Sequence, residues 1–414
     1  MVENLKGYKI TLNTKFTGSI YDSSWFFNPR MAKYRQPENL KMPFWLTQLN
    51  RYDGLAWYQK EVSIPASWKG RFISLKLEHP HFITQVWIDN TEIGTQNSMT
   101  VPHVYGLPAT IKSGKHRITV RIDNRLKSMD VGTNSHSVTD HTQGNWNGMV
   151  GDLQLEARSP ICFDDIQVYP NLKMKTVLVK IHVLNVNGKP VSGKINISAK
   201  SFNSGISQTV APVEFPIKLT GKEASYEISL PMGDNMQTWD EFNPALYKLN
   251  ATLTVGKQTD SKEVEFGMRE ITIQGKYFYV NGNKTMLRGT VENALFPLTG
   301  YPPMDVASWE RVFRICKSYG LNHMRFHSYC PPEAAFKAAD KLGFYLQPEG
   351  PSWPNHSTQL GRGLPIDTYL MDETKRITKE YGNYASFAFL ASGNEPRGAW
   401  VPWVGKFVDY WKAT

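Results

Sequence analysis

Short segments of alternating apolar and polar residues fill the first part of the chain. Between residues 8 and 158 they are broken by Gly, Pro and Asn, a pattern typical of half-buried strands joined by tight turns. Residues 72–77, 84–89 and 116–122 are the clearest examples. About 150 residues of such strands fit a β-sandwich or a jelly roll better than a single open sheet.

The alternation continues from Ile161 to about Met268, where residues 176–183, 194–198 and 249–255 are predicted strands. Roughly 100 residues with about seven short strands have the size of an immunoglobulin-like sandwich. The Cys–Trp–Cys signature of antibody domains is absent from this part of the sequence.

After Arg269 the apolar spacing changes to that of helices alternating with short strands. Asp305 is a predicted N-cap of a helix that stops at Gly320, and a second helix runs from Pro332 to Gly343. Alternating strands and helices predict parallel βαβ units. Four units are present where a TIM barrel needs eight, so the sequence predicts half a barrel followed by an amphipathic segment at residues 403–411. The predicted strands are residues 285–288, 322–326, 344–347 and 387–391, and the third helix spans residues 368–381.

The chain is therefore predicted to be a multidomain protein with two all-β domains and an α/β domain. We place these domains at residues 1–160, 161–268 and 269–414. A length of 414 residues is too great for one ordinary core, and 41% hydrophobic with 20% charged residues is the composition of a globular protein.

Charge and cysteine content exclude several classes of protein. Subtracting 37 acidic from 47 basic residues gives a net charge of +10, but no block of five or more Lys or Arg occurs. Nucleic-acid-binding signatures are absent too, so we expect no nucleic acid partner and at most a weak preference for acidic glycans. Three cysteines, Cys162, Cys316 and Cys330, do not suggest a disulfide framework, and no Cys or His spacing suggests zinc.

No apolar leader follows Met1, and no run of 18 apolar residues occurs, so the sequence predicts no membrane partner. We expect a periplasmic or secreted protein whose signal peptide is not visible in these residues, and a cytoplasmic location stays open. A half barrel would leave open sheet edges and apolar surface. Such surfaces favour pairing with a second copy of the chain, so a homo-oligomer is expected.

Polar residues follow each predicted strand of the α/β part. In a TIM barrel the C-terminal strand ends face the active site, so these residues are candidates for binding and protonating a sugar. Retaining and inverting glycosidases both use a pair of carboxylates for this chemistry. The candidates at the strand ends are Glu292, Asn293, Arg325, His327, Glu349, Asn394 and Glu395.

Each candidate has a structural alternative. Arg325 could form a salt bridge between strands. His327 could be a histidine of the core, and Glu349 could be an exposed acid in a turn. Glu395 follows an apolar strand and the small residues Ser392 and Gly393, which argues against an exposed or capping role and favours catalysis. For Trp353 and Trp400, stacking on a sugar and packing in a core are equally reasonable.

Short motifs recur in a fixed order along nearly the whole chain. Together they resemble family 2 of the glycoside hydrolases, including the Gly-Asn-Glu motif at residues 393–395. The remaining matches are residues 54–58, 64–65, 68–70, 86–94, 120–124, 146–151, 243–247, 266–269, 278–282 and 287–289.

The resemblance implies a sugar-binding jelly roll, an immunoglobulin-like sandwich and a TIM barrel, and the activity of a retaining exo-β-glycosidase on oligosaccharides or polysaccharides. Within this family the sequence is expected to resemble a β-galactosidase most, and a β-glucuronidase or another β-glycosidase is the alternative. The resemblance implies that Glu395 is the general acid/base and that Asn394 forms a hydrogen bond with the 2-hydroxyl of the sugar. The subsite it implies contains Arg325, His327, Glu349, Trp353 and Trp400.

The family's nucleophile lies on a later barrel strand, so we expect it beyond residue 414 and expect this chain alone to be inactive. No cofactor is required, no metal ligand is assigned, and a divalent cation near the subsite is left open. Residues 325–331 exchange the His and Ser of the family pattern, and residues 290–294 replace its Asn-Arg-His-Glu segment. Sugar specificity is therefore not carried over. The rival interpretation is a carbohydrate-binding fragment without catalysis.

Overall fold

The computed structural model describes Pro29, Ala32 and residues 52–139, 145–296 and 299–413. Predictions that concern residues 1–51 lie outside the described residues, except at Pro29 and Ala32. These include the start of the first β domain and the segment searched for a leader. Within the described part there are 20 strands and four α-helices, so the architecture is rich in β-structure.

The first β region has seven described strands in two antiparallel sheets. The strands are β1 Leu55–Ile64, β2 Phe72–His81, β3 Ile83–Ile88, β4 Thr91–Gln96, β5 His103–Gly106, β6 Gly114–Asp123 and β7 Gly148–Arg158, with short 3-10 helices at Ala66–Trp68 and Leu126–Ser128. The strand orders in the two sheets are β1-β6-β3-β4 and β5-β2-β7. Tyr58, Leu77 and Val86 belong to one buried cluster between the sheets, as the alternation of apolar residues predicts.

The second β region also has seven described strands in two antiparallel sheets. The strands are β8 Ile161–Asn171, β9 Thr176–Asn185, β10 Val191–Phe202, β11 Thr209–Leu219, β12 Glu223–Pro231, β13 Leu246–Val255 and β14 Gln258–Phe266. The strand orders in the two sheets are β11-β10-β13-β14 and β12-β9-β8. Val179, Ile197 and Leu249 are fully buried between the sheets.

The third region begins with a small antiparallel sheet and continues with parallel strands and helices. In the parallel sheet Glu292 pairs with Phe326 and Arg325 with Gln347, so consecutive strand ends lie side by side. The antiparallel strands are β15 Ile271–Gln274, β16 Tyr277–Val280 and β17 Asn283–Thr285. The parallel strands are β18 Gly289–Glu292, β19 His323–Phe326 and β20 Tyr345–Gln347, and the helices are α1 Val306–Ser318, α2 Glu333–Leu342, α3 Pro365–Tyr381 and α4 Trp400–Ala413.

The helix ends follow the local signals in the sequence. Asp305 caps α1 by accepting a hydrogen bond from the Ser308 backbone N–H at 2.8 Å. Gly343 ends α2 in the left-handed conformation, with φ 64°. These predictions of helix boundaries are confirmed.

Two strand predictions are wrong in detail. The first parallel strand is Gly289–Glu292 rather than residues 285–288, because Thr285 pairs with Phe278 in an antiparallel hairpin. Residues 387–391 form no continuous strand. They contribute isolated parallel bridges, from Phe387 to Leu346 and from Ala391 to Glu349.

Helix α3 joins the first β region to the parallel sheet. Phe82 and Val131 of the β region share a buried cluster with Ile366 and Leu370 of the helix. The carboxylate of Glu373, fully buried in α3, accepts hydrogen bonds from three groups of the β region at 2.7–2.8 Å: Ser98 Oγ, the Met99 backbone N–H and Thr100 Oγ1. This contact holds the first β region beside the strand ends.

Candidate active site

Arg325, Glu349 and Asn394 meet at the C-terminal ends of the parallel strands. Arg325 lies in β19 and donates from Nε to Glu349 Oε1 at 2.5 Å and from Nη2 to Glu349 Oε2 at 3.2 Å. The same Nη2 donates to Asn394 Oδ1 at 3.1 Å. One guanidinium therefore fixes two of the predicted site residues, using the fork geometry that suits a carboxylate.

Glu349 is only 1% exposed, so the alternative of an exposed turn acid is wrong. Burial raises the pKa of its carboxyl, and the hydrogen bond from Arg325 opposes that rise. The salt bridge between neighbouring strands, the structural alternative for Arg325, is present. It also aims the guanidinium at Asn394, so the structural contact belongs to the candidate site.

Glu395 lies beside this group and is exposed, contrary to the expectation drawn from its small neighbours. Its Oε2 accepts a hydrogen bond from Trp353 Nε1 at 2.8 Å. Its φ is 37°, in the left-handed region that L-residues other than Asn and Asp seldom adopt. Such a conformation costs about 1–3 kcal/mol and persists where surrounding contacts enforce it, often at functional sites.

The turn before Glu395 is enforced by close backbone packing. Gly393 has φ 139°, and a Cβ there would lie 2.1 Å from Ser352 Oγ. The Asn394 backbone N–H donates to Ser352 O at 2.9 Å. A larger residue does not fit at Gly393, so this tight turn requires glycine. After the turn the side chain of Asn394 is buried, with 8% of its surface exposed, and the side chain of Glu395 is exposed to solvent.

His327 connects the end of β19 to the end of β18. Its Nδ1 lies 3.1 Å from Asn293 Oδ1. Burial lowers the pKa of His327, the charge of Arg325 adds to that decrease, and Asn394 and Glu395 oppose it. Asn394 is thus close enough to His327 to affect its pKa. Nevertheless, His327 Nε2 and Asn394 Nδ2 are both buried, and neither atom makes a well-formed hydrogen bond in the described part of the chain. Two buried nitrogens without a well-formed hydrogen bond are available to polar groups of a ligand.

The first β region adds a side chain that the sequence did not predict. His136 stacks on the indole of Trp353, with centroids 5.1 Å apart and planes 7° apart, and its ring centroid lies 4.2 Å from that of His327. Nothing in the local sequence around His136 marks it, because its proximity arises from packing between distant regions. Asn293 was marked by its position after a strand, although its contact with His327 was not predicted.

Trp353 and Trp400 have different environments. Trp353 is half-buried between His136 and Glu395, whereas Trp400 is 40% exposed at the first residue of α4. Among the described residues no hydrogen bond or ring contact joins Trp400 to the cluster around Glu395. The resemblance assigned seven residues to catalysis or to the subsite. The structure brings six of them together, namely Glu395, Asn394, Arg325, His327, Glu349 and Trp353, and Trp400 is the seventh.

The described residues contain no group of three or more His, Cys, Asp or Glu side chains that could hold a metal ion. None of the helices within residues 52–139, 145–296 and 299–413 is long and apolar enough to cross a membrane.

Comparison with known proteins gives consistent matches. The sequence profile of Glycosyl hydrolases family 2 matches residues 161–269. A β-galactosidase of Thermoanaerobacterium thermosulfurigenes is 23% identical over 323 residues, which are 76% of this chain and 44% of that protein. A β-glucuronidase of Canis lupus familiaris is 21% identical over 381 residues, which are 84% of this chain and 56% of that protein.

A solved structure agrees in fold. The β-galacturonidase of Eisenbergiella tayi bound to galacturonate superposes with a TM-score of 0.71 at 20% identity, covering 87% of this chain and 61% of that one. The matched part of the chain spans from about a third to about half of the length of the curated relatives. The profile match over residues 161–269 and the named relatives support family 2 of the glycosyl hydrolases for this chain, and the shared fold agrees with it.

Proposed function

We propose that the protein is a retaining exo-β-glycosidase in which Glu395 is the general acid/base. The observation that carries the proposal is the position of Glu395, held by Trp353 Nε1 at 2.8 Å next to the Arg325–Asn394 pair. A carboxylate fixed on one oxygen and open to solvent can protonate a leaving glycosidic oxygen and later accept a proton from water. The names of the relatives, β-galactosidase, β-glucuronidase and β-galacturonidase, support this class of reaction.

In this proposal the buried polar groups hold the terminal sugar. Asn394 binds the 2-hydroxyl through Nδ2, and His327 offers Nε2 to a second hydroxyl. Arg325 and Glu349 fix Asn394 through their shared hydrogen bonds. Trp400 lies outside this group, and we propose it as an outer stacking surface for longer substrates.

The nucleophile is a second carboxylate, which retaining chemistry places about 5–5.5 Å from the acid/base. Two carboxylates at the strand ends have other partners. Glu349 is paired with Arg325, and Glu292 accepts from the hydroxyl of Tyr329 and from the Ala294 backbone N–H. We therefore propose that neither of these two carboxylates is the nucleophile.

The domain assignment is part of the same proposal. The two β regions, each with seven described strands, are proposed as a jelly-roll domain within residues 1–160 and an immunoglobulin-like domain at residues 161–268. Residues 269–414 are proposed as the first half of a TIM barrel, supported by the parallel pairing of β18, β19 and β20. The terminal sugar is proposed to be galactose or a uronic acid, as in the named relatives.

The test is hydrolysis of aryl β-glycosides by the full-length protein. Glu395→Gln should lower kcat/KM for phenyl glycosides by about 10²–10⁴, the usual contribution of a general acid/base. The loss should be much smaller for dinitrophenyl glycosides, whose leaving group needs no proton. Wild-type turnover by Glu395→Gln would refute the assignment, and binding without hydrolysis by the wild type would favour the carbohydrate-binding alternative.

A matched control is Glu214→Gln, which removes one charge from an exposed ion pair with Lys194 in the second β region. Its kcat/KM should equal that of the wild type with both leaving groups. A panel of β-galactosides, β-glucuronides and β-galacturonides then identifies the sugar, because the correct glycone should show the largest kcat/KM.

A further inference from the structure

The first β region extends a loop across the candidate active site. This loop, residues 130–139, follows β6 and is hereafter the 130–139 loop. Its backbone binds the segment after β20, since the Trp353 backbone N–H donates to Val131 O at 2.9 Å. Ser135 Oγ donates to Pro351 O at 3.2 Å, and the Thr133 backbone N–H donates to Ser357 Oγ at 3.0 Å.

The contact between loop and segment is close enough to exclude a methyl group. Gly132 has φ 99°, and a Cβ on it would lie 2.0 Å from the backbone oxygen of Trp353. Ser357 Oγ also donates to Asp130 Oδ1 at 2.8 Å. The loop therefore holds the backbone of Trp353 from one side while His136 stacks on its ring.

The indole is in turn the group that holds Glu395. An indole N–H is a single donor with a direction fixed by the ring plane. A rotation of the Trp353 ring would therefore move the donor away from Glu395 Oε2, which it now meets at 2.8 Å. Glu395 is exposed and has a strained backbone, so it depends on such a contact for a defined orientation.

We propose that His136, carried by the 130–139 loop, is a positioning residue for the acid/base, acting through Trp353 on Glu395. A side chain of the first β region then controls how well the catalytic carboxylate is aligned. This inference rests on the proposed function of Glu395 and adds a residue to it. The ring of His136 acts by stacking, so an aromatic replacement should preserve the effect.

The kinetic test compares two leaving groups in the full-length protein. His136→Ala should lower kcat/KM for phenyl glycosides by about 10- to 100-fold, the range expected when a catalytic group is misplaced. Dinitrophenyl glycosides should lose much less, because they need no proton from Glu395. His136→Phe should restore most of the phenyl glycoside activity. Equal losses on both substrates, or no loss on either, would overturn the proposal.

A glycine pair tests the loop with matched backbone strain. Gly132→Ala and Gly70→Ala both place an alanine at positive φ, 99° and 77°, but only Gly132 has atoms within 4 Å of the added Cβ. Gly132→Ala should lower the ratio of kcat/KM for phenyl glycosides to kcat/KM for dinitrophenyl glycosides, as His136→Ala does. Gly70→Ala should leave this ratio at its wild-type value. A wild-type ratio in folded Gly132→Ala protein would contradict a positioning role for the loop.

A readout without turnover separates this inference from the proposed function. The Trp353 indole N–H resonance, assigned with Trp353→Phe in tryptophan-labelled protein, should move in His136→Ala toward its position in Glu395→Gln. An unmoved resonance overturns the positioning role even if Glu395 is the acid/base. A moved resonance together with full turnover by Glu395→Gln refutes the proposed function and leaves the positioning contact intact.

Discussion

Lowering the pH from 7 to 5 should destabilise the first β region, because three of its histidines are buried in the neutral form. Burial lowers the pKa of His79 to about 4 and those of His81 and His103 to about 3. Smaller effects come from the charge of His79 on the other two, from Arg376 on His103, and from hydrogen bonds of Asn145 and Ser98 that oppose the decrease.

The sign follows from proton linkage. In the unfolded chain these histidines bind protons near pH 6.5, whereas in the folded chain they do so only near pH 3–4. Their contribution to the free energy of unfolding is therefore fully present above pH 6.5 and is lost as the pH falls toward 3. At about 1.4 kcal/mol per pH unit and histidine, each group costs about 2 kcal/mol at pH 5. The three together cost about 6 kcal/mol, comparable with the whole stability of a domain.

The assay is urea unfolding at pH 7.5 and 5.0, followed by the tryptophan fluorescence change assigned to Trp146 by comparison with Trp146→Phe. Trp146 stacks on His81 with ring centroids 4.6 Å apart. His79→Phe keeps a ring beside Trp146 and removes one titrating group. It should reduce the stability difference between the two pH values by about 2 kcal/mol. An unchanged difference would refute the reasoning. His116 gives a control of opposite sign, because Asp89 raises its pKa, so its contribution is present at low pH and lost as the pH rises.

Three further substitutions have defined outcomes, and Arg314→Lys serves as a control for the first of them. Arg325→Lys should cost about 2 kcal/mol in thermal unfolding, because the fork to Glu349 is lost. Arg314→Lys, in an exposed i,i+4 pair, should cost less than about 0.5 kcal/mol. Glu373→Gln should cost about 2–4 kcal/mol in urea unfolding, because its amide would oppose the Arg376 guanidinium, and wild-type stability would contradict this. Gly393→Ala should lower kcat/KM for phenyl glycosides by about 10²-fold through misplacement of Glu395, and wild-type kinetics would disprove this.

Local signals predicted the helices well because caps act within a few residues. Asp305 and Gly343 mark helix ends through their own conformations and hydrogen bonds. The first and fourth parallel strands were predicted less well. Their limits depend on which residues find partners across the sheet, as Gly289 does with His323 and Phe387 with Leu346. That pairing is a tertiary property that propensity does not contain.

The strand-end argument located most of the candidate site because parallel strands bring their C-terminal ends to one edge. Arg325, Glu349 and Asn394 were found this way, and they are hydrogen-bonded to one another. The exposure of Glu395 was not predicted, since it depends on the positive φ of the turn. His136 was missed because a loop far upstream reaches the site only through packing between regions.

The same packing links acid stability to the proposed activity. His103 Nε2 contacts Ser98 O at 3.0 Å, and Ser98 Oγ donates to Glu373 of α3 at 2.7 Å. Because the first β region also carries His136, its unfolding at low pH would remove the ring stacked on Trp353. Activity at low pH should then disappear together with the Trp146 fluorescence change, rather than at the titration of a site residue. His79→Phe changes a ring that lies beside Trp146, so it should move both transitions to lower pH by the same amount. A shift of the fluorescence transition alone would show that the two regions act independently.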